Sequence, residues 1–482
     1  MIYISAINNI IKKIFSVKHS SFFSHSKNYL LAEIFNKGIV FITIPIFTRL
    51  LSPTEYGILA LFSSIVAIFT VLMGLNFQSS IAVKYYDKNE DLPEFLGTNL
   101  IFLYFNNILI ILVCLIFSSS LSLVFSVSSD IFIIAVVVSS FTFFMQAELS
   151  YLQASQQSKK YSSISVIRNV MITSISLIWI TLLDKNRHYG NIYSQIITLG
   201  VIFIFVSYSL AKISKFCFRK KHLQYALLFS IPLIPHTLAG IALSQIDRLM
   251  INNFLGSYQV GLYSLAFNVG LLVPVFVAAL NNAWLPIFFN ALKNNCHEKI
   301  QNLAEKYTKI VIISVFVLII FSKDIIIIMA DKQYMESYKI VPLFALSGMA
   351  TFLYTLFVNY AFYAKRTGII SIISVVACLF NVVLNYILIP LYGYAGAAWA
   401  NLISHTLLFA LNYFTARYLF NESIIKIRII LIDILKLISF ISIYFMTEID
   451  ENYLNIIYKI TLVILFTLLL FGRYLKTPRL IS

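Results

Sequence analysis

Charge is scarce in this sequence. Asp, Glu, Lys and Arg make up 12% of its 482 residues, about half the share usual in soluble domains. Cysteine is scarce as well. Cys114, Cys217, Cys296 and Cys378 stand far apart, so no Cys-x-x-Cys pair is available for zinc, an iron–sulfur cluster or redox exchange. The chain lacks a Gly-x-x-x-x-Gly-Lys-Ser/Thr loop, a His-Glu-x-x-His helix, a Gly-x-Ser-x-Gly elbow and an Asp-x-Asp pair, which removes ATP-driven pumping and the common hydrolase and sugar-nucleotide chemistries. No metal and no cofactor is expected. Long polar stretches are missing too: no segment offers the roughly 50 residues of a small water-facing domain.

What fills the chain instead is apolar, at 60% of residues with a mean hydropathy of +0.86. A single anchor needs only about 20 apolar residues, so most of the chain must lie in lipid. The fold class expected is an all-α polytopic membrane protein. The excess of 36 Lys and Arg over 20 Asp and Glu does not point to nucleic acid, because the bases fall in small clusters between apolar runs, as in the cytoplasmic loops of membrane proteins.

Apolar windows place spans near 28–50, 55–83, 95–118, 129–153, 163–183 and 191–212, then, after five bases between Lys212 and Lys221, near 225–250, 261–290, 306–330, 339–364, 369–389 and 394–417. Two more, near 429–447 and 453–472, make about fourteen. The domain plan is a tail over 1–27, a six-helix lobe over 28–212, a basic linker over 213–224, a second six-helix lobe over 225–417, and two added helices with a short tail over 418–482. The first 27 residues have no small-residue cleavage site and read as a retained cytoplasmic tail. Most of the bases, including Lys159 and Lys160, the Lys212 to Lys221 run, Lys365 with Arg366, and Arg473, Lys476 and Arg479, fall on one side if both termini are cytoplasmic, while the acids Glu448, Asp450 and Glu451 fall on the other.

The two lobes repeat each other at an offset of about 205 residues. Leu51, Gly57 and Leu61 in Leu-Ser-Pro-Thr-Glu-Tyr-Gly-Ile-Leu-Ala-Leu match Leu255, Gly261 and Leu265 in Leu-Gly-Ser-Tyr-Gln-Val-Gly-Leu-Tyr-Ser-Leu. A second match sets Gly190 against Gly396, each a glycine at a helix start followed by an aromatic and an amide.

A charge inside a span costs about 2.5–3.5 kcal/mol near the centre and normally faces a partner or water. In the first span Glu33, Asn36 and Lys37 share a face, with Glu148 and Arg168 at similar depth in the fourth and fifth. These four charges are either structural ion pairs or the charged wall of a substrate cavity. In the seventh span Pro232 and Pro235 precede a polar stripe of His236, Gly240, Ser244 and Asp247, and the prolines make this helix a candidate moving part. Asn281 and Asn282 lie between Pro274 and Pro286, and Asn401, His405 and Asn412 form another stripe. The histidines His236 and His405 are either hydrogen-bonded packing groups or coupling sites. Arg49, Asp247 and Arg248, near the outer ends of their helices, either snorkel to the interface or receive cargo.

The segments Thr48 to Gly57, Gln245 to Gly256 with Val260 to Leu265, and Asn381 to Asn401 resemble the bacterial O-antigen and capsule repeat-unit flippases of the multidrug/oligosaccharidyl-lipid/polysaccharide exporter superfamily. The resemblance spans roughly residues 28–417. It implies two lobes in a V with a cavity open alternately to either side of the inner membrane, and a cargo of undecaprenyl-pyrophosphate-linked oligosaccharide, with a polysaccharide polymerase and chain-length regulator as partners. On this view bases suit the pyrophosphate: Lys37 and Arg168 at the inner mouth and Arg248 and Arg49 at the outer one, with Glu33, Glu148 and Asp247 as supporting charges. Asn281, Asn282 and Tyr360 would meet the sugar. A peptidoglycan-precursor flippase, a drug or organic-cation antiporter of the same superfamily and a membrane-embedded enzyme of polysaccharide assembly are the other readings.

Overall fold

The computed structural model describes residues 21–87, 91–419, 424–447 and 453–475. The tail to residue 20, the acids Glu448, Asp450 and Glu451, and Lys476 and Arg479 lie outside them. Among the described residues the elements are helical: α1 (Ser21–Leu50), α2 (Pro53–Gly74), α3 (Phe77–Tyr86), α4 (Leu92–Ile116), α5 (Ser118–Phe125), α6 (Ser129–Ala154), α7 (Ser158–Leu182), α8 (His188–Ile213), α9 (Lys220–Ser230), α10 (Ile234–Leu255), α11 (Ser257–Gly270), α12 (Leu272–Lys293), α13 (His297–Ile320), α14 (Ser322–Met329), α15 (Val341–Tyr363), α16 (Thr367–Tyr392), α17 (Tyr394–Phe414), α18 (Ile427–Met446) and α19 (Tyr453–Leu475), with 3₁₀ turns over Ile231–Leu233 and Lys332–Ile340 and a π turn over Thr415–Leu419. Among the described residues twelve helical stretches are long and apolar enough to cross a membrane, and 13 if α13 and α14, bent by 63°, count as one. The protein is therefore an all-α multi-span membrane protein. The further helix α17 sits where a twelfth span was expected, and its Asn401, His405 and Asn412 make it more polar than the rest.

Breaks fall where the sequence frees the backbone. Between α9 and α10 the helix tightens into a 3₁₀ turn over Ile231–Leu233, since Pro232 and Pro235 remove donors from the ladder. Gly256, at φ +85°, turns the chain between α10 and α11 in a conformation that side chains rarely adopt.

The chain folds as two compact units. The first comprises Met1–Ile46, Ile65–Leu123 and Ser128–Ile234; the second comprises Phe47–Ser64, Val124–Val127 and Pro235–Ser482. In the first, α6 is the central helix, with Phe143, Phe144 and Ala147 fully covered and Tyr104 of α4 stacked on Phe144 at 4.5 Å. Helices α7 and α8 close into a hairpin because Gly190 lets α8 rest on the backbone of Ile180. The stretch between α8 and α9 is strapped onto the start of α4. Lys215 N–H donates to the Pro93 carbonyl at 2.8 Å, Thr98 donates to the Cys217 carbonyl at 2.7 Å, and Glu94 takes both Lys215 at 2.8 Å and Arg219 at 2.7 Å. The Glu94 carboxylate raises the pKa of the exposed Lys215 ammonium. This strap needs Gly97, whose missing side chain leaves room for the Lys215 carbonyl.

In the second unit, α2 opens with a capping box. Ser52 N–H donates to the Glu55 carboxylate at 3.0 Å and Glu55 N–H donates to the Ser52 hydroxyl at 3.3 Å, with Pro53 at the first helical position, where its lack of an N–H costs nothing. The start of α2 then meets the start of α11 backbone to backbone. A Cβ on Gly57 would lie 1.9 Å from the Ser257 carbonyl oxygen, and a Cβ on Gly261 would lie 1.9 Å from that of Pro53. Each glycine thus sits over the carbonyl four residues before the other, a reciprocal contact of the two repeats that only hydrogen at Cα permits. Gly396 serves α17 as Gly190 serves α8, resting it on the Leu388 carbonyl of α16. The last two helices are held to α13 by Phe316, Phe440 and Phe466, with centroids 4.7–6.0 Å apart, and to α14 by the Lys459–Asp324 ion pair at 2.5 Å.

Substituting Gly57 or Gly261 by Ala should therefore lower stability by about 1–3 kcal/mol, the usual cost of overpacking, and by more with Leu. Gly38→Ala, where a Cβ meets nothing within 4 Å, should cost nothing and gain up to about 1 kcal/mol from the better helix propensity of Ala. Thermal unfolding of the detergent-purified protein measures both.

Candidate functional site

The densest buried polar cluster among the described residues belongs to the second unit and is organised by Asp247 and Arg248 of α10, 1% and 5% exposed. Asp247 accepts from the Tyr263 hydroxyl at 2.5 Å, from the Asn385 amide at 2.6 Å and from the Asn401 amide at 3.4 Å. Asn385 also donates to Asn381, one turn earlier on α16, at 3.0 Å. The Arg248 guanidinium donates to the Ser264 hydroxyl at 3.1 Å, the Ser244 carbonyl at 2.6 Å and the Gln245 side chain at 2.7 Å, and lies 4.6 Å from the centroid of Phe267. Gln245 in turn accepts from Ser64 of α2 at 3.0 Å. Helices α2, α10, α11, α16 and α17 thus converge on two adjacent charges. Removing one side of such a buried arrangement costs about 3–5 kcal/mol, since it strands the other.

The first unit presents its charges differently. Glu33 and Lys37 pair along α1 at 3.0 Å with side chains 64% and 45% exposed. Asn36, on the same turn, donates to Ser165 of α7 at 2.6 Å. Arg168 is partly buried and its guanidinium forks onto the neighbouring Asn169 at 2.9 and 3.1 Å. Glu148 is 3% exposed; one carboxylate oxygen accepts from Ser209 at 2.8 Å and the other has no hydrogen-bond partner. Among the described residues no ion pair joins Glu148 or Arg168 to Glu33 or Lys37. A groove of about 590 Å³ runs between α1 and α7, lined by Asn28, Lys159, Ser162 and Ser163 with Leu31, Phe35 and Val166.

Of the remaining expected site residues, Asn281 accepts from Asn359 at 3.1 Å, Asn282 is exposed, and Tyr360 is 3% exposed with its ring edge-on to Phe288 at 4.9 Å. Arg49 is exposed and reaches the Ile328 carbonyl at 3.3 Å. His236 is partly buried. His405 meets the Asn401 carbonyl through Nδ1 at 3.0 Å, beside a cavity of about 290 Å³ walled by α10, α11, α12, α15 and α17. Tyr263, Asn385, Asn381 and Gln245 were not among the expected site residues. A signal existed for two of them: Asn381 and Asn385 stand one helical turn apart in an otherwise apolar span, a pairing with a purpose in lipid.

The helices and their packing define a fold found among solved transporters: the chain is similar to the lipid II flippase MurJ in an inward closed conformation, with a TM-score of 0.74 over 93% of this chain and 99% of that one at 16% identity. Curated relatives include the Lsg locus putative protein 1 of Haemophilus influenzae, 24% identical over 75% of this chain and 89% of its own length. Another is the probable low-salt glycan biosynthesis flippase Agl15 of Haloferax volcanii, 21% identical over 79% of this chain and 80% of its own. Residues 27–292 match the family described as polysaccharide biosynthesis protein. The chain belongs to that family.

The two clusters should respond differently to substitution. Asp247→Ala should sharply lower the amount of folded protein in the membrane, because it strands Arg248. Lys37→Ala breaks only an exposed pair and should leave that amount within about 0.5 kcal/mol of wild type in stability. Immunoblotting of membranes together with thermal unfolding reads both.

Proposed function

We propose that this protein is a flippase that carries an undecaprenyl-pyrophosphate-linked oligosaccharide repeat unit, of O-antigen or capsule type, across the bacterial inner membrane by alternating access. The carrying observation is the exposed Glu33–Lys37 pair in a membrane helix. Charges on the open face of a span do not face hydrocarbon; they line a watery passage, which a glycosylated pyrophosphate needs and an apolar drug does not. Lys37 and Arg168, both in the first unit, are the bases for the pyrophosphate. Asn281, Asn282 and Tyr360 serve the sugar, and Glu33 holds Lys37 between cargoes. His236 and His405 are the groups available for coupling. The family match and the relative described as a glycan biosynthesis flippase support this reading.

Deleting the gene should leave lipid-linked repeat units on the cytoplasmic leaflet while surface polysaccharide disappears and growth continues. A leaflet-accessibility assay decides: absence of the lipid-linked intermediate would mean a role in synthesis, and loss of viability would mean a peptidoglycan precursor as cargo. In wild-type background, Lys37→Ala and Arg168→Ala should each reduce surface polysaccharide at normal membrane abundance.

Both termini are cytoplasmic in this proposal. In a version without native cysteines, Asp184→Cys should react with an impermeant maleimide from outside and Lys220→Cys should not; the reverse pattern would invert the topology.

A further inference from the structure

The cavity beside His405 in the second unit has an unusual hydrogen-bonding character. Ser244 donates its hydroxyl proton to the Ile241 carbonyl at 2.9 Å, Ser347 to that of Leu343 at 2.9 Å, and Thr351 to that of Ser347 at 2.9 Å. While these protons rest on their own helices, the three oxygens present lone pairs to the cavity and act there as acceptors. His405 follows the same rule. Its Nδ1 faces the Asn401 carbonyl at 3.0 Å, and a carbonyl cannot donate, so Nδ1 carries the proton and Nε2 of the neutral ring is an acceptor. The Asn401 amide NH₂ is turned to the Leu243 carbonyl at 3.5 Å and to Asp247 at 3.4 Å, leaving its carbonyl oxygen as another acceptor. Tyr354 is the one lining side chain whose hydroxyl can still donate.

The cavity is walled mainly by apolar side chains, and its few polar groups are nearly all acceptors, a combination that suits a ligand with donors at its edge and apolar faces. A metal ion is a poor fit, because it needs several oxygens closing on it at about 2.0–2.6 Å, and a space of about 290 Å³ is far too wide. An organic cation finds no free counter-charge, because the Asp247 carboxylate next to the lining Asn401 is matched by the Arg248 guanidinium, which already occupies the neighbourhood of the Phe267 ring at 4.6 Å. A neutral ring carrying several hydroxyls meets neither objection. Its hydroxyls suit the acceptors, and its C–H faces suit the aromatic walls of Phe267, Phe344 and Tyr354. The volume, at the lower end for ligand sites, accommodates one such ring. The mouth is also visible: Gly240 is exposed and a Cβ there would meet nothing within 4 Å.

We propose that this cavity is a saccharide subsite in the second unit that receives a single sugar ring of the lipid-linked glycan, with Ser244, Ser347, Thr351 and His405 accepting from its hydroxyls. The proposal rests on the flippase reading and adds to it where a sugar is held.

The test uses the purified full-length protein in nanodiscs and saturation-transfer NMR with free N-acetylglucosamine, galactose and rhamnose, and with tetramethylammonium as the cation probe. At least one sugar should receive saturation from wild type and from Gly240→Ala. The signal should vanish in Gly240→Leu, which plugs the mouth, and weaken about five-fold in Ser347→Val, the usual effect of one lost hydrogen bond. Thermal unfolding checks that each variant is folded, and His405→Phe provides a further loss of one acceptor. Saturation of tetramethylammonium alone, of no probe, or of a sugar undiminished in folded Gly240→Leu and Ser347→Val overturns the subsite. These outcomes are independent of the leaflet assay on the deletion strain. Trapped lipid-linked units together with no sugar binding would leave the flippase and remove the subsite, whereas absence of those units would remove the flippase reading itself.

Discussion

Two glycines, Gly57 and Gly261, let the first turns of α2 and α11 approach until each Cα lies over the carbonyl of the other helix, with the hypothetical Cβ of each only 1.9 Å from oxygen. Membrane helices have no hydrophobic driving force toward one another, so close backbone contact and the dispersion it allows must substitute for it. From this contact follow the position of Tyr56, which accepts from Asn268 at 2.9 Å, and the approach of Ser64 to Gln245. Through Gln245 it reaches Arg248. The capping box at Ser52 and Glu55 and the positive-φ Gly256 aim the two chain segments so that the glycines can meet.

Polar chemistry is distributed unevenly along the chain. The second unit surrounds Asp247 and Arg248 with amides and hydroxyls until both are almost inaccessible, which makes that cluster a fixed framework whose loss is costly. The first unit leaves Glu33 and Lys37 exposed along α1 and keeps Glu148 covered with a carboxylate oxygen unpaired. A framework and an open charged face are different tools. The first holds helices in one arrangement, and the second keeps a charged pair on an open face of α1.

Glycine and proline did most of the positional work that could be anticipated. The paired offsets of Gly57 with Gly261 and of Gly190 with Gly396 were legible because a close helix approach admits almost no other residue, and in the structure Gly190 and Gly396 each rest on the preceding helix while Gly57 and Gly261 rest on each other. The break at Pro232 and Pro235 was legible because proline lacks a donor wherever it stands. The partners of the charges were not. Spacing places Asp247 on a helix face, but it cannot say that Tyr263, Asn385 and Asn401, from three other helices, arrive at that face.

The sequence by itself determined the solvent, the class of element and the number of passes to within one or two, because burying backbone in hydrocarbon leaves helices as the only open choice and hydropathy counts them. It also determined the family. Only the tertiary structure decided that Phe47–Ser64 packs with the second unit, that Asp247 is saturated while Glu33 and Lys37 stay exposed, and that the hydroxyls around His405 keep their acceptors toward a cavity. These depend on which faces of distant helices meet and how each side chain spends its protons, and neither is encoded in the spacing along any one helix.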